Sequence, residues 1–193
     1  MERKAELSGK ALDYCLKHGV ADLSLRPLAR AIGSSARLLI YHFGSKDGLL
    51  SAVMDEVRQR AQRSFTESMA EAGQSGVLQQ FWTWATAPKN SRYVRLLFEV
   101  QTLSLHNPGV YGHLLEGNSV SWLTLIESAL PLAPDRRAKA TLCAAVIDGL
   151  LLELLNTGDL KRTSEALELF GSLLSAGTRT PARRPLSRLP REE

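Results

Sequence analysis

Residues 25–50, LRPLARAIGSSARLLIYHFGSKDGLL, decide how this chain is interpreted. The segment contains two short apolar-periodic stretches around a glycine-containing turn, followed by the beginning of a third. Two short helices joined by such a turn are typical of the helix-turn-helix, which places its second helix in the major groove of duplex DNA. The segment therefore predicts a DNA-binding protein, and the rest of the chain has to account for the control of binding.

Single residues mark where the first helix begins and ends. Ser24 precedes the apolar run as a predicted N-cap, and Pro27 falls in the first turn, where its missing N–H costs little. Gly33 supplies the backbone freedom that ends this helix. Ser34 or Ser35 is then predicted to cap the second helix, which makes the turn between the two helices short.

The second helix has an inner and an outer face. Leu39 and Phe43 are four residues apart and are predicted to point into a core. The residues predicted to face elsewhere are Arg37, Leu38, Tyr41 and His42. Gly44 ends the helix, and Ser45 is predicted to cap a third helix. The outer face therefore combines a cation with hydrogen-bonding side chains, as a DNA-reading helix requires.

In register, these residues resemble the DNA-binding domain of TetR-type bacterial transcriptional regulators. The frame covers about residues 5–55 and reads Ser24-x-Arg26-x-Leu28-Ala29-x-x-x-Gly33-x-Ser35-x-x-x-Leu39-x-x-His42-Phe43-x-x-Lys46-x-x-Leu49-Leu50. Two positions depart from the family pattern. Ser34 replaces the usual valine of Gly-Val-Ser, and Ile40 stands where the family usually has a tyrosine that holds a DNA phosphate.

The resemblance and the side-chain chemistry together select nine candidate DNA contacts. They are Ser24, Arg26, Ser35, Ala36, Arg37, Leu38, Tyr41, His42 and Lys46. Arg37 suits a bidentate contact with guanine, and Leu38 suits packing on a thymine methyl. Tyr41 and His42 are predicted to reach the backbone or a base edge. The serines and Lys46 suit phosphates.

Beyond this region the pattern predicts helices throughout, nine in all, and no segment alternates as a strand does. Pro88 is predicted to end one helix, Asn90 or Ser91 to cap the next, and residues 110–130 to form one helix. We expect an all-α protein with a helix-turn-helix domain over residues 1–50, whose linking helix continues to about residue 72. A helical ligand-binding and dimerisation domain is expected over 51–177, and a disordered Arg/Pro-rich tail over 178–193. Net charges are +4 over residues 1–63, −3 over 64–177 and +3 over 178–193. The first domain therefore attracts a polyanion best.

The last two long helices are apolar around much of their circumference. Leucines, a valine and a phenylalanine form these wide stripes: Leu142, Val146, Leu150, Leu151, Leu152, Leu154, Leu155, Leu167, Phe170, Leu173 and Leu174. Such helices must be buried on more than one side. The resemblance implies that they pair with a second subunit as a four-helix bundle. The alternative is that they form the core of a monomer.

The middle of the chain is where the resemblance implies a small-molecule pocket. The candidate residues supply aromatic surface and a few polar groups: Phe81, Trp82, Trp84, Tyr93, Phe98, Gln101, Trp122 and Asp148. Core packing is an alternative role for each aromatic residue. A carboxylate at Asp148, amid apolar neighbours, needs a partner, and it either meets a ligand or faces water beside Lys161 or Arg162.

Other classes of function have little support in the sequence. The chain lacks the Gly-x-Ser-x-Gly elbow and the Gly-rich phosphate loop, so we expect neither an enzyme nor a cofactor. The pair His113 and Glu116 supplies too few ligands for a metal site.

We expect a cytoplasmic homodimer, not associated with membranes, that binds an operator in double-stranded DNA and a small-molecule effector. It is predicted to be a repressor that a lipophilic or aromatic ligand releases. The rival is a helical enzyme or adaptor in which residues 25–50 are merely a packed pair of helices.

Overall fold

The computed structural model describes residues 2–71, 76–115 and 118–176, and their regular structure is entirely helical. The described residues form ten α-helices and one 3₁₀ helix, Gly112–Leu115. The α-helices are α1 Glu2–His18, α2 Leu25–Ala31, α3 Ala36–Phe43, α4 Lys46–Glu71, α5 Val77–Thr86, α6 Pro88–His106, α7 Pro108–Tyr111, α8 Asn118–Ala129, α9 Arg136–Thr157 and α10 Leu160–Ala176. The all-α prediction is confirmed.

The helix count of nine is corrected to ten in the described part of the chain. Residues 110–130 were expected to form one helix, but α7, the 3₁₀ turn and α8 divide this stretch. Pro88 was expected only to end a helix. It begins α6 instead, at a first-turn position where proline loses no hydrogen bond. Asn90 does not cap α6, because its side-chain amide donates to the Trp84 carbonyl at 2.8 Å.

The first three helices pack with the beginning of α4 around one apolar core. Leu7 and Leu12 of α1, Leu28 of α2, Leu39 of α3 and Leu49 of α4 are each at most 1% exposed. The predicted caps hold at two of three helix starts. Ser35 accepts from the Leu38 N–H at 3.1 Å, and Ser45 accepts from the Gly48 N–H at 2.9 Å. Ser24 stands at the N-cap of α2, but its side chain makes no capping bond.

Helix α4 belongs to two cores. Val53 and Val57 lie in the core of the first three helices, whereas Ala61 and Phe65 lie in a second core with α5, α6, α9 and α10. Helix α6 also contributes to both, with Leu96 and Val100 in the first core and Val94 in the second. Helices α4 and α6 therefore join the helix-turn-helix to the rest of the molecule.

Both cysteines are buried and free of disulfides. Burial raises the pKa of the Cys15 thiol to about 12, and the nearby Glu99 carboxylate adds to the rise. In the described part of the chain, no helix is long and apolar enough to cross a membrane, and no cluster of three potential metal ligands is found. The Arg/Pro-rich segment 178–193 and Glu116 lie outside the described residues.

Candidate functional site

Helix α3 is anchored by two side chains and exposes the rest. Leu39 and Phe43 are buried, as their spacing predicts. Arg37 is exposed, and Tyr41 is 80% exposed, which is an unusual fraction for an aromatic residue on a helix. Ile40 is also exposed on this surface. The outer face of α3 is therefore open to a partner as large as a nucleic-acid groove.

The remaining predicted contacts surround this face. Ala36, Leu38, His42 and Lys46 are half-buried, and Ser35 is exposed. The His42 ring lies edge-on to Tyr41, with 5.1 Å between centroids, so the two rings orient each other. Ser24 and Arg26 are exposed at the start of α2.

The cations of the helix-turn-helix are not neutralised within the described protein. Arg26, Arg30, Arg37 and Lys46 form no ion pair with another described residue. By contrast, the cations of α1 near its N-terminus share one carboxylate. Arg3 and Lys10 lie 2.6 and 2.8 Å from Glu6. Unpaired cations close to an exposed helix are suited to phosphate contacts.

Arg30 is a candidate contact that the sequence pattern did not single out. It lines a shallow groove between α1 and α2 together with His18, Ser24 and Arg26. Arg30 lies one helical turn after Arg26, so the four-residue spacing of the two arginines was an available signal.

The helix-turn-helix is braced from below by α6. The backbone N–H groups of Val20 and Ala21 donate to one carboxylate oxygen of Glu99, at 2.7 and 2.8 Å. Gly19 has a φ of +75°, and a Cβ there would lie 2.7 Å from the same oxygen. Glu99 therefore fixes the turn between α1 and α2 to a helix of the second core.

A cavity of about 130 Å³ lies between α5, α6, α8 and α9. Its wall consists of aromatic and aliphatic side chains with two polar groups, Gln101 and Asp148. The lining residues are Phe81, Trp84, Tyr93, Val94, Leu97, Phe98, Gln101, Trp122, Leu123, Ile126, Ala144, Ile147, Asp148 and Leu151. The shape and composition are those of a small-molecule site.

The cavity brings together seven of the eight residues predicted for ligand binding, and Trp82 is the exception. Trp82 is buried elsewhere, and its indole N–H donates to the Ser164 hydroxyl of α10 at 2.9 Å. Trp84 and Trp82 are two residues apart, so a helix cannot present both to one cavity. The aliphatic lining residues carry no sequence signal that separates them from core.

Asp148 lies at the mouth of the cavity, where solvent still reaches it. The surrounding apolar atoms raise the pKa of its carboxyl above the ordinary value. The expected neighbours Lys161 and Arg162 do not pair with it. Lys161 lies 3.9 Å from Glu165, and Arg162 lies 2.7 Å from Glu153. Asp148 has no hydrogen bond or ion pair with another described residue.

The cavity wall continues directly into the linking helix. The Phe65 ring of α4 lies 5.6 to 5.7 Å, centroid to centroid, from the rings of Phe81, Trp84 and Trp122. These three are cavity residues, so α4 is in direct ring contact with the cavity wall.

The outer surface of α9 and α10 carries exposed leucines. On α9 they are Leu142 and Leu152, and in the second half of α10 they are Leu169 and Leu173. Leu160, the first residue of α10, is exposed as well. The other leucines of the stripes pack inward, with Leu151 and Leu167 buried in the second core. The two helices are joined through Gly158 and Asp159, so the four leucines lie on neighbouring helices.

The helix-turn-helix region of the chain matches a known protein family. Residues 11–53 match the family model described as bacterial regulatory proteins, tetR family. No curated protein matches the chain.

Solved structures resemble the chain over nearly its whole length. A putative TetR-family transcriptional regulator from Rhodococcus sp. is 19% identical, with a TM-score of 0.71 over 91% of this chain and 98% of that one. A transcriptional regulator from Rhodococcus sp. Rha1 is 16% identical, with a TM-score of 0.75 over 90% and 96%. The multidrug binding protein EbrR, complexed with imidazole, is 21% identical, with a TM-score of 0.65 over 94% and 92%. The fold is therefore that of the TetR-family regulators.

Proposed function

Since the helix-turn-helix of this chain belongs to the tetR family of bacterial regulatory proteins, we propose that the protein is a transcriptional repressor. It binds a palindromic operator as a homodimer, and a small molecule that enters the cavity between α5, α6, α8 and α9 releases it.

The observation that carries the proposal is the outer face of α3. A packed pair of helices would bury its side chains, whereas here Arg37 and Tyr41 are exposed beside the unpaired cations Arg26 and Lys46. Arg37 reads guanine, Tyr41 and His42 contact backbone or base edges, and Ser24, Arg26, Ser35 and Lys46 hold phosphates. Ala36 and Leu38 supply apolar contact. Ile40 replaces the usual phosphate-holding tyrosine, and Tyr41 takes over that contact.

The proposed dimer is supported by the exposed leucines on α9 and α10. One short recognition helix reads few bases, whereas two helices placed about one DNA turn apart read a palindrome. The exposed leucines Leu142, Leu152, Leu169 and Leu173 support a second copy on this surface, because large exposed apolar patches mark interaction sites.

Effector binding is supported by the cavity and by its contacts with α4. The lining residues Phe81, Trp84, Tyr93, Phe98, Gln101, Trp122 and Asp148 form the proposed site. Among the structural neighbours, EbrR is a multidrug binding protein. Phe65 transmits a change in the wall to α4, and α4 carries it to the helix-turn-helix, since the same helix contributes to both cores.

A binding experiment with two variants tests the DNA-reading role. Gel shifts use duplex DNA from upstream of the protein's own gene. Arg37→Ala is expected to weaken operator binding by about 1–3 kcal/mol and to relax base choice at one position. The control is Arg95→Ala on α6, because Arg95 is also an exposed arginine.

Three results decide the experiment. Weaker and less selective binding by the α3 variant alone supports the proposal. Equal affinity and selectivity of both variants would remove Arg37 from the reading surface. Failure of the unmodified protein to bind any duplex at low salt would overturn the DNA-binding function and favour a helical enzyme or adaptor.

A further inference from the structure

The residues that line the cavity favour one chemical class of ligand. We propose that its effector is a small aromatic cation, with the amine or similar group held by Asp148 and the ring held among the tryptophan, tyrosine and phenylalanine side chains. The inference rests on the proposed role of the cavity as the effector site and specifies the ligand of that site.

The charge of the cavity is one-sided. Asp148 is the one carboxylate among the lining residues, and no lysine, arginine or histidine lines the cavity with it. One turn away on α9, in both directions, the residues are apolar: Ala144, Ala145, Leu151 and Leu152. A cationic ligand would therefore meet a carboxylate on the α9 side of the cavity. On the α6 side, the Arg92 guanidinium lies 5.5 Å from the centroid of the Tyr93 ring.

Four cations on α9 and at the start of α10 already have partners. Arg162 pairs with Glu153 and Asp159, and Lys161 pairs with Glu165. At the other end of α9, Lys139 pairs with Asp135 and Arg137 pairs with Glu127. The carboxylate at the cavity mouth is thus left for a group from outside the described protein.

The environment of Asp148 favours such a group. Asp148 keeps contact with solvent at the cavity mouth, and the apolar atoms around it raise the pKa of its carboxyl. A positive charge placed beside the carboxylate stabilises its ionised form. A ligand cation supplies that charge, whereas a neutral or anionic ligand leaves the carboxylate unpaired or repelled. The site is therefore expected to bind a cationic ligand more tightly than a neutral or anionic one.

The aromatic walls of the cavity also favour a cationic ligand. Trp84, Trp122, Phe81, Tyr93 and Phe98 all line the cavity. The faces of such rings attract cations, and tryptophan is the strongest of them. The Gln101 side chain, which has no hydrogen bond to another described residue, supplies one further polar contact.

The size of the cavity limits the ligand. Its volume of about 130 Å³ is close to the ~150 Å³ of an apolar cavity that holds benzene. One ring with a short cationic arm fills this space. Benzylamine, benzyl alcohol and benzoate share the ring and differ in charge, so they are suitable probes.

The experiment measures the affinity of these three probes for the full chain by calorimetry, with tryptophan fluorescence as a second readout because Trp84 and Trp122 line the cavity. Benzylamine is expected to bind at least about tenfold more tightly than benzyl alcohol, a difference of about 1.4 kcal/mol. Benzoate is expected to bind most weakly. Asp148→Asn is expected to bring the affinity for benzylamine down to about that for benzyl alcohol.

Two variants locate the effect. Asp135→Asn changes an exposed carboxylate just before α9 that pairs with Lys139, and it should leave the order of affinities unchanged. Ala144→Phe fills the cavity and should abolish binding of benzylamine and benzyl alcohol alike. Circular dichroism of each variant checks that the helices are retained, and the nearly isosteric Asp148→Asn keeps the test valid if the larger Ala144→Phe change unfolds the protein.

The outcomes separate this inference from the proposed function. Equal binding of benzylamine and benzyl alcohol, or a benzylamine preference that survives Asp148→Asn, would overturn the cationic class and leave the cavity as an effector site. Binding of none of the three probes would overturn the ligand assignment, while operator binding, measured separately, would still decide the regulatory function. Charge selectivity that disappears only in Asp148→Asn supports the inference.

Discussion

At the scale of single residues, the geometry of the helix-turn-helix depends on glycines used in two ways. Gly33 and Gly44 have φ values of +69° and +78°, so they end α2 and α3 in a conformation that other residues rarely adopt. Gly48 lies inside α4 with ordinary helical geometry, yet a Cβ there would lie 2.1 Å from the Phe43 carbonyl oxygen. This glycine is required for close contact between α4 and the end of α3.

Replacing Gly48 by alanine is therefore expected to destabilise the protein, although alanine is the better helix former. The obstacle is backbone rather than a flexible side chain, so α3 and α4 must separate. We expect a loss of about 1–3 kcal/mol in the free energy of unfolding, measured by urea denaturation.

The matched control is Gly9→Ala in α1. A Cβ there would meet only the end of the Arg60 side chain, at 2.9 Å, which can move aside. We expect stability within about 1 kcal/mol of the unmodified protein, since alanine favours the helix by a similar amount. Equal losses in the two variants would contradict the role assigned to Gly48.

At the scale of helices, α6 serves two parts of the molecule. Leu97, Phe98 and Gln101 line the cavity, while Glu99 between them accepts from the backbone of the α1–α2 turn. A change in the cavity wall can therefore reach the helix-turn-helix through α6 as well as through α4.

Removing the Glu99 carboxylate leaves two backbone N–H groups without their acceptor. Hydrogen bonds to charged groups contribute about 1.5–3 kcal/mol, so Glu99→Ala is expected to lower the free energy of unfolding by this order. Hydrogen exchange at Val20 and Ala21 should become faster. Glu99→Gln retains an acceptor oxygen and should have the smaller effect.

Glu67→Ala provides the comparison, because Glu67 is an exposed carboxylate of α4. Its stability and the exchange rates of the α1–α2 turn should match those of the unmodified protein. If exchange at Val20 is as slow in Glu99→Ala as in the control, the brace is not formed in solution.

The sequence predicts helices and faces better than it predicts contacts between distant residues. Leu39 and Phe43 could be assigned to the core because four-residue spacing encodes one face of a helix. Pro88 was misplaced because proline both ends helices and occupies their first turn. Glu99 could not be foreseen, since its partner Val20 lies 79 residues away in the chain.

Prediction of the cavity residues from the sequence was limited in a similar way. Aromatic residues on neighbouring helices were a usable signal, and they led to Trp84 and Trp122. They also led to Trp82, whose face of α5 points to α10 instead. The helical period of 3.6 residues separates residues two apart, but a sequence alone does not show which of the two faces meets a cavity.

At the scale of the whole molecule, the proposed dimer depends on the outer surface of α9 and α10. The four exposed leucines lie on the two helices that end the described chain, whereas the inner leucines of the same helices fill the second core. The inner leucines form a core within one chain, as the monomer interpretation requires, and the dimer remains a proposal that rests on the outer leucines. The outer set remains without an apolar partner in the described protein.

The double variant Leu169→Glu/Leu173→Glu tests the proposed dimer. Both side chains are more than 60% exposed in the single chain, so glutamate there should leave the monomer folded. In the dimer the same carboxylates would lose water without gaining a partner, which costs several kcal/mol. Light scattering should give about twice the 21.2 kDa chain mass for the unmodified protein and a single chain mass for the variant.

Leu105→Glu is the control, because Leu105 is 82% exposed at the end of α6 and belongs to neither α9 nor α10. It should remain dimeric. Operator affinity should fall in the double variant alone, because a monomer presents one recognition helix where a palindrome requires two. An unmodified protein of single chain mass, or a double variant that remains dimeric, would show that the exposed leucines do not form the interface.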